Sequence, residues 1–209
     1  MKTIIYTPED AIEHEVSVLS ALLDAGVDYL YIRKPHLDDF SLVDYMEQFK
    51  ETYYSKIITT SLIITKEFNL GGYHFTRELL QKNNSYNEKV LEWLHINRKL
   101  SSISAHSVEE VIKYAGHFSH LIVSPVFKSI SKDNHVYDWD YDALKEVINK
   151  PNLSSLDYHS KFFAVGGVNK DRLIDVKSMH FDGFGLMGAL WNNPKEALEL
   201  FLSIQQNIL

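Results

Sequence analysis

The chain has 209 residues, 45% of them hydrophobic, a net charge of −7 at pH 7 and no cysteine. Such a length fits one domain, which is expected to span residues 1–209. No apolar run approaches the roughly eighteen residues needed to cross a bilayer. The opening Met1-Lys2-Thr3-Ile4-Ile5-Tyr6 is too short for the core of a signal peptide. A cytoplasmic protein with no membrane partner is expected. The missing cysteines exclude disulfides, thiolate metal sites and a thiol nucleophile, and the acidic balance argues against a nucleic-acid surface. A local basic pocket for a phosphate stays open.

In chain order, Thr3 to Thr7 reads as a strand, with Pro8 beginning the turn toward a helix marked by Leu19, Leu22 and Leu23. Gly26 closes that helix, and Asp28 to Arg33 follows as a second strand with Lys34-Pro35 at its end. Leu42, Tyr45, Met46 and Phe49 form a helical stripe, Ser61 to Thr65 reads as a third strand, and Tyr73 to Phe75 as a fourth. Gln81 to Asn84 has a loop composition, and Val90 to Leu94 fits helix and strand equally. Leu100 to Ala105 is a fifth strand ending at His106, where Ser107 and Glu110 form a capping-box pattern.

Leu121 to Val123 is the sixth strand. It runs into Ser124-Pro125-Val126-Phe127-Lys128-Ser129-Ile130-Ser131-Lys132, a loop carrying hydroxyls and a cation suited to oxyanions. Tyr141, Leu144 and Ile148 mark a helix that ends before Pro151. Lys161 to Val165 is the seventh strand, closed by Gly166-Gly167, and Asn169 can cap the helix of Leu173 and Val176. Asp182 to Met187 is the eighth strand, and Pro194 opens a last helix through Leu198 and Phe201.

Eight strands alternating with helices, with no internal repeat, predict an α/β fold of the (β/α)8 barrel type. Ligands bind at the carboxyl ends of such strands, and the loops after strands seven and eight commonly hold a phosphate. Here those loops are Gly166-Gly167 and Met187-Gly188-Ala189. Arg33, Lys34 and Lys132 lie on the same edge. His117-x-x-His120 has the spacing of two ligands on one helix face, but it straddles a helix-to-strand boundary and is not assigned a metal.

Four stretches together resemble the thiamine phosphate synthase and TenI superfamily. They are Tyr31-Ile32-Arg33-Lys34, Ser104-Ala105-His106-Ser107, Pro125 through Lys132, and Ala164-Val165-Gly166-Gly167-Val168. The resemblance implies that Gly167 and Gly188 help hold a thiazole phosphate, with Gly166, Met187 and Ser104 beside them and Ser129, Ser131 and Lys132 facing the ligand. Arg33 and Lys34 would add positive charge. In the synthases an Asn-Asp pair ending the third strand and an Asp after the fourth hold the magnesium of a pyrimidine pyrophosphate. Matched against these, this chain has Thr65-Lys66 at the first site and Leu79 at the second, with Glu78 one residue early, and Tyr31 in place of a glutamine.

Magnesium needs hard oxygen ligands, so these losses fall on the metal half of the site. The TenI-like thiazole tautomerases resemble the synthases in fold and do without metal, and the histidine of Ser-x-His-Ser, here His106, serves them as acid and base. Their reaction is aromatisation of a carboxythiazole phosphate by moving one proton, which an imidazole can do near neutral pH. The resemblance therefore implies a metal-independent tautomerase of thiamine biosynthesis with a phosphorylated thiazole as ligand and no cofactor. A divergent thiamine phosphate synthase requiring magnesium and a non-catalytic thiazole phosphate-binding barrel stay open, as does homo-oligomerisation.

Overall fold

The computed structural model describes residues 1–82, 84–127, 139–150 and 159–206. Eight parallel strands pair in sequence order into a closed barrel: β1 (Lys2–Tyr6), β2 (Tyr29–Ile32), β3 (Ile57–Thr59), β4 (Gly72–Phe75), β5 (Leu100–Ala105), β6 (His120–Val123), β7 (Lys161–Ala164) and β8 (Gly183–Leu186). Closure runs from Lys2 opposite Gly183 to Ile5 opposite Leu186. Around it lie α1 (Glu15–Asp24), α2 (Asp39–Met46), α3 (Leu62–Glu67), α4 (Arg77–Lys82), α5 (Asn84–Ile96), α6 (Val108–Tyr114), α7 (Tyr141–Asn149), α8 (Leu173–Ser178), α9 (Gly188–Trp191) and α10 (Ala197–Gln205).

Alternation along each strand divides the apolar residues between two cores. Ile5, Leu30, Ile57, Phe75, Ile103, Val123 and Phe184 point outward and join the helices in one continuous cluster. Ile4, Tyr31, Ile58, Ile122 and Phe163 point inward and fill the barrel. Each such side chain contributes about 1.5–3 kcal/mol on burial. Strand β8 supplies no bulk to the interior. A Cβ on Gly183 would lie 2.6 Å from the Phe163 ring, and one on Gly185 would lie 2.9 Å from the Tyr6 ring, so the aromatics of β1 and β7 use that space.

The third strand differs from the expectation. It is Ile57–Thr59, in register with Leu30, Tyr31 and Ile32, and the expected segment from Ser61 to Thr65 instead begins α3. A short β-branched run does not by its periodicity distinguish strand from buried helix. What decides is capping: the Ser61 hydroxyl accepts the Ile64 amide at 3.2 Å, and the Thr65 hydroxyl donates to the Ser61 carbonyl at 2.7 Å. Burial agrees, since Ile64 and Thr65 are both fully buried while Ile63 is 62% exposed, which is no strand alternation. The residues ending the third strand are therefore Thr59-Thr60. Lys66 lies on α3, its ammonium 4.8 Å from the centre of the Trp93 ring. The segment with a loop composition belongs largely to α4 and α5, and Val90 to Leu94 is helical.

Candidate functional site

The inward positions at the carboxyl ends of the strands bring together Tyr6, Arg33, His74, Ser104, His106, Ser124, Gly166 and Met187. Arg33 follows β2 and is fixed through its backbone, its amide donating to the Thr7 hydroxyl at 2.8 Å and its carbonyl accepting from that hydroxyl at 3.2 Å. Its guanidinium meets Glu9 at 2.9 Å on one side and approaches the Met187 sulfur at 3.9 Å on the other. The expected rim positions on strands two and eight are thus neighbours. Lys34 has a different role from the anion contact expected of it. Its side chain is 3% exposed, and its ammonium is held by Glu15 at 2.7 Å and by the Asp10 carbonyl at 3.1 Å. Alternation explains this, because successive residues of an extended chain such as Arg33 and Lys34 face opposite ways.

Strands β4 and β5 line the interior below with polar groups. His74 Nδ1 lies 2.9 Å from the Ser102 hydroxyl and Nε2 lies 3.4 Å from the Ser104 hydroxyl. Burial, helped by the positive charge of Arg33, lowers its pKa to about 4, so the ring is neutral at pH 7. One nitrogen then donates and the other accepts, and hydroxyls complement either arrangement. Beside it the Tyr6 and Tyr31 rings stand 5.1 Å apart with both hydroxyls buried and, among the described residues, without a hydrogen-bond partner. Burial raises both phenols well above their ordinary pKa, so they stay protonated.

His106 stands one residue past β5 and is held from two directions. Its backbone amide donates to Glu110 Oε2 at 2.8 Å, and its Nδ1 lies 2.5 Å from the Ser124 carbonyl. A carbonyl only accepts, so the proton of the neutral ring is assigned to Nδ1 and Nε2 is the basic nitrogen. Of the capping box expected from Ser107 and Glu110 the hydroxyl half is present, the Ser107 hydroxyl accepting the Glu110 amide at 3.2 Å, while the Glu110 carboxylate accepts the amide one residue before the cap, that of His106.

The loops after β6 and β7 are joined by backbone hydrogen bonds, Val126 to Val165 at 2.8 Å and Phe127 to Gly166 at 3.1 Å. Trp139 is buried against them and its indole donates to the Pro125 carbonyl at 2.7 Å, while Asp140 caps α7. Gly166 and Gly167 have φ of +87° and +66°, which side chains with a Cβ rarely adopt. A Cβ on Gly166 would lie 2.5 Å from that of Pro125, whereas one on Gly188 would meet nothing within 4 Å. The first glycine is required by packing, and the second faces open space on the rim. Ser129, Ser131 and Lys132 lie outside the described residues.

A divalent ion does not fit the donors described here. Thr59-Thr60 stand at the end of the third strand, and after the fourth come Arg77, Glu78 and Leu79, with Arg77 paired to Glu110 and Glu78 a single exposed carboxylate. Among the described residues no group of three or more His, Asp or Glu could hold a metal ion. His120, half of the His-x-x-His pair, is instead packed inside the barrel between Tyr29 and Phe163. A surface depression edged by Glu47, Glu51 and Glu67 contains none of the residues above, and its acidity is unsuited to a phosphate.

His74, Ser102, Ser124 and Arg77 were not singled out by the sequence as site residues. A signal exists for two of them: Ser102, Ser104 and His106 alternate along one strand, and His74 is flanked by outward-facing aromatics, so strand parity alone turns these polar groups inward.

Comparison with known proteins agrees with the barrel fold. The family model described as thiamine monophosphate synthase matches residues 3–190. The chain is similar in structure to thiamine phosphate pyrophosphorylase from Bacteroides thetaiotaomicron, with 25% identity, TM-score 0.76, and 100% of this chain and 98% of that one covered. The thiamine phosphate pyrophosphorylase from Pyrococcus furiosus gives TM-score 0.76 at 14% identity, over 99% of this chain and 95% of that one. A 3-hexulose-6-phosphate synthase, at TM-score 0.63 and 10% identity over 99% of both chains, shares the fold alone. No curated protein matches. Among the described residues no helix is long and apolar enough to cross a membrane.

Proposed function

Because the chain belongs to the thiamine monophosphate synthase and TenI family, matched over residues 3–190, we propose that it is the family's metal-independent kind, a thiazole tautomerase acting on a carboxythiazole phosphate. The observation that carries this reading is the pairing of an oriented His106 with Thr59-Thr60 and Leu79 where a magnesium site would need carboxylates, the lone Glu78 being one residue early. The backbone of Gly166, Gly167, Met187 and Gly188 receives the phosphate, whose charge suits amide groups at a glycine-rich rim. Arg33 adds a cation beside Met187, and Ser104, together with Ser129, Ser131 and Lys132, completes the polar wall. His106 Nε2 takes the ring proton of the substrate and returns it at a second position, so the enzyme ends each cycle in its starting protonation state.

Replacing His106 with Gln tests the reading. Tautomerisation is expected to fall by about two orders of magnitude, the usual scale of general acid–base catalysis. An unchanged rate would remove His106 from the mechanism. The similarity at 25% identity to a thiamine phosphate pyrophosphorylase over the full chain supports a second reading, a transferase joining pyrimidine pyrophosphate to thiazole phosphate. Magnesium separates the two: a chelator abolishes synthase turnover and leaves the tautomerase indifferent. Binding of thiazole phosphate without turnover of either substrate set would favour a non-catalytic phosphate-binding role.

A further inference from the structure

Loops β4–α4 and β5–α6 are stapled at one point beside His106. Arg77, the first residue of α4, places Nη2 at 2.7 Å and 2.9 Å from the two carboxylate oxygens of Glu110. The same carboxylate accepts the His106 backbone amide at 2.8 Å, and the Glu110 amide is itself capped by Ser107 at 3.2 Å. Glu110 is thus held at its backbone by a cap and at its carboxylate by a cation, and its side chain is 24% exposed against 54% for Arg77.

We infer that Arg77 is a positioning residue for His106, acting through Glu110. A glutamate that only completed a capping box would accept the Ser107 amide, whereas this one accepts the amide of His106 and is held there by a cation. The guanidinium removes the freedom of that carboxylate to turn toward water, and so fixes the amide at the base of His106. The ring has its own anchor at the Ser124 carbonyl. Two fixed points, one on the backbone and one on Nδ1, determine where Nε2 points, and a small misplacement of an acid–base group lowers the rate of proton transfer steeply. Arg77 therefore affects turnover without touching the ligand. This inference rests on the acid–base role given to His106 above.

The test uses Arg77→Met, Arg77→Lys, Glu110→Gln, the double variant R77M/E110Q and His106→Gln, assayed for carboxythiazole phosphate tautomerisation. The Arg77→Met variant is expected to lose about three- to fivefold in kcat with KM unchanged, the scale of one partly exposed charge pair. Arg77→Lys should recover most of that. Glutamine at 110 keeps an acceptor for the His106 amide and loses the ion pair, so Glu110→Gln should match Arg77→Met and the double variant should be no worse than either. The ring 15N signals of His106 should report the Nδ1-protonated form in the parent and a mixture of forms in Arg77→Met, which a purely structural role would not produce. If kcat and the ring signals are unchanged in Arg77→Met while His106→Gln abolishes turnover, the positioning role is overturned alone. If His106→Gln is as active as the parent, the acid–base reading falls and this inference with it.

Discussion

Two glycines on the same rim should respond oppositely to one added methyl group. At Gly166 an alanine would have to hold φ at +87° and bring its Cβ to 2.5 Å from Pro125 Cβ and 2.7 Å from Pro125 Cα. The left-handed conformation costs about 1–2 kcal/mol and overpacking a further 1–3 kcal/mol or so, about 2–5 kcal/mol together. For a chain of this length each kcal/mol lowers Tm by about 2–4 °C, so Gly166→Ala should melt roughly 4–20 °C early. At Gly188 a Cβ meets nothing within 4 Å, and alanine in the first turn of α9 should leave Tm unchanged or slightly raised. That methyl group would stand where the phosphate is proposed to sit. The affinity for thiazole phosphate should therefore fall about tenfold, a loss of about 1.4 kcal/mol. Thermal melting by circular dichroism and titration calorimetry with thiazole phosphate measure the two effects separately. A Gly188→Ala protein that binds the ligand as well as the parent would place the phosphate elsewhere, and a Gly166→Ala protein of parental stability would refute the packing argument.

Acid should weaken the barrel through His74 and His120, whose pKa values burial lowers to about 4. As pH falls below 6.5 the unfolded chain takes up these protons first, so stability is lost between about pH 6.5 and 4, by at most about 3 kcal/mol for each residue. Urea unfolding at pH 7, 5.5 and 4.5 should show this decline, and His120→Leu should lessen it; an unaltered slope would exclude His120 as a source. Lys34→Met leaves the buried carboxylate of Glu15 without its cation and should cost about 3–5 kcal/mol in the same assay. Tyr31→Phe removes a buried hydroxyl with no hydrogen-bond partner among the described residues and should hold or raise Tm, whereas a drop would reveal an interaction of that hydroxyl. Glu9→Gln frees Arg33 from its pair at 2.9 Å and should tighten thiazole phosphate binding about twofold to fivefold, an effect that added salt should shrink.

Alternation of apolar runs with helical stripes was enough to specify a barrel, because strands covered on both faces need continuous β-branched and aromatic segments and the helices between them need one apolar side. Chain-local chemistry likewise placed Gly166-Gly167 at a turn, His106 at a strand-to-helix junction and Ser107 as a cap, since each depends on residues within one turn of the chain. What the sequence left undetermined depends on partners distant along the chain. Leu62 to Thr65 is β-branched enough for a strand, and with Ile57 to Thr59 already paired to β2 the Ser61 cap starts it as a helix. Lys34 and Arg33 are adjacent cations of similar sequence signal, yet strand parity sends one to Glu15 inside the fold and the other to the rim. The contacts of His106 with Ser124 and, through Glu110, with Arg77 join residues 18 and 33 positions apart, and no local pattern records that they meet. The pairing of β5 with β4 on one side and β6 on the other brings them together, because hydrogen bonding between neighbouring strands fixes which loops share an edge.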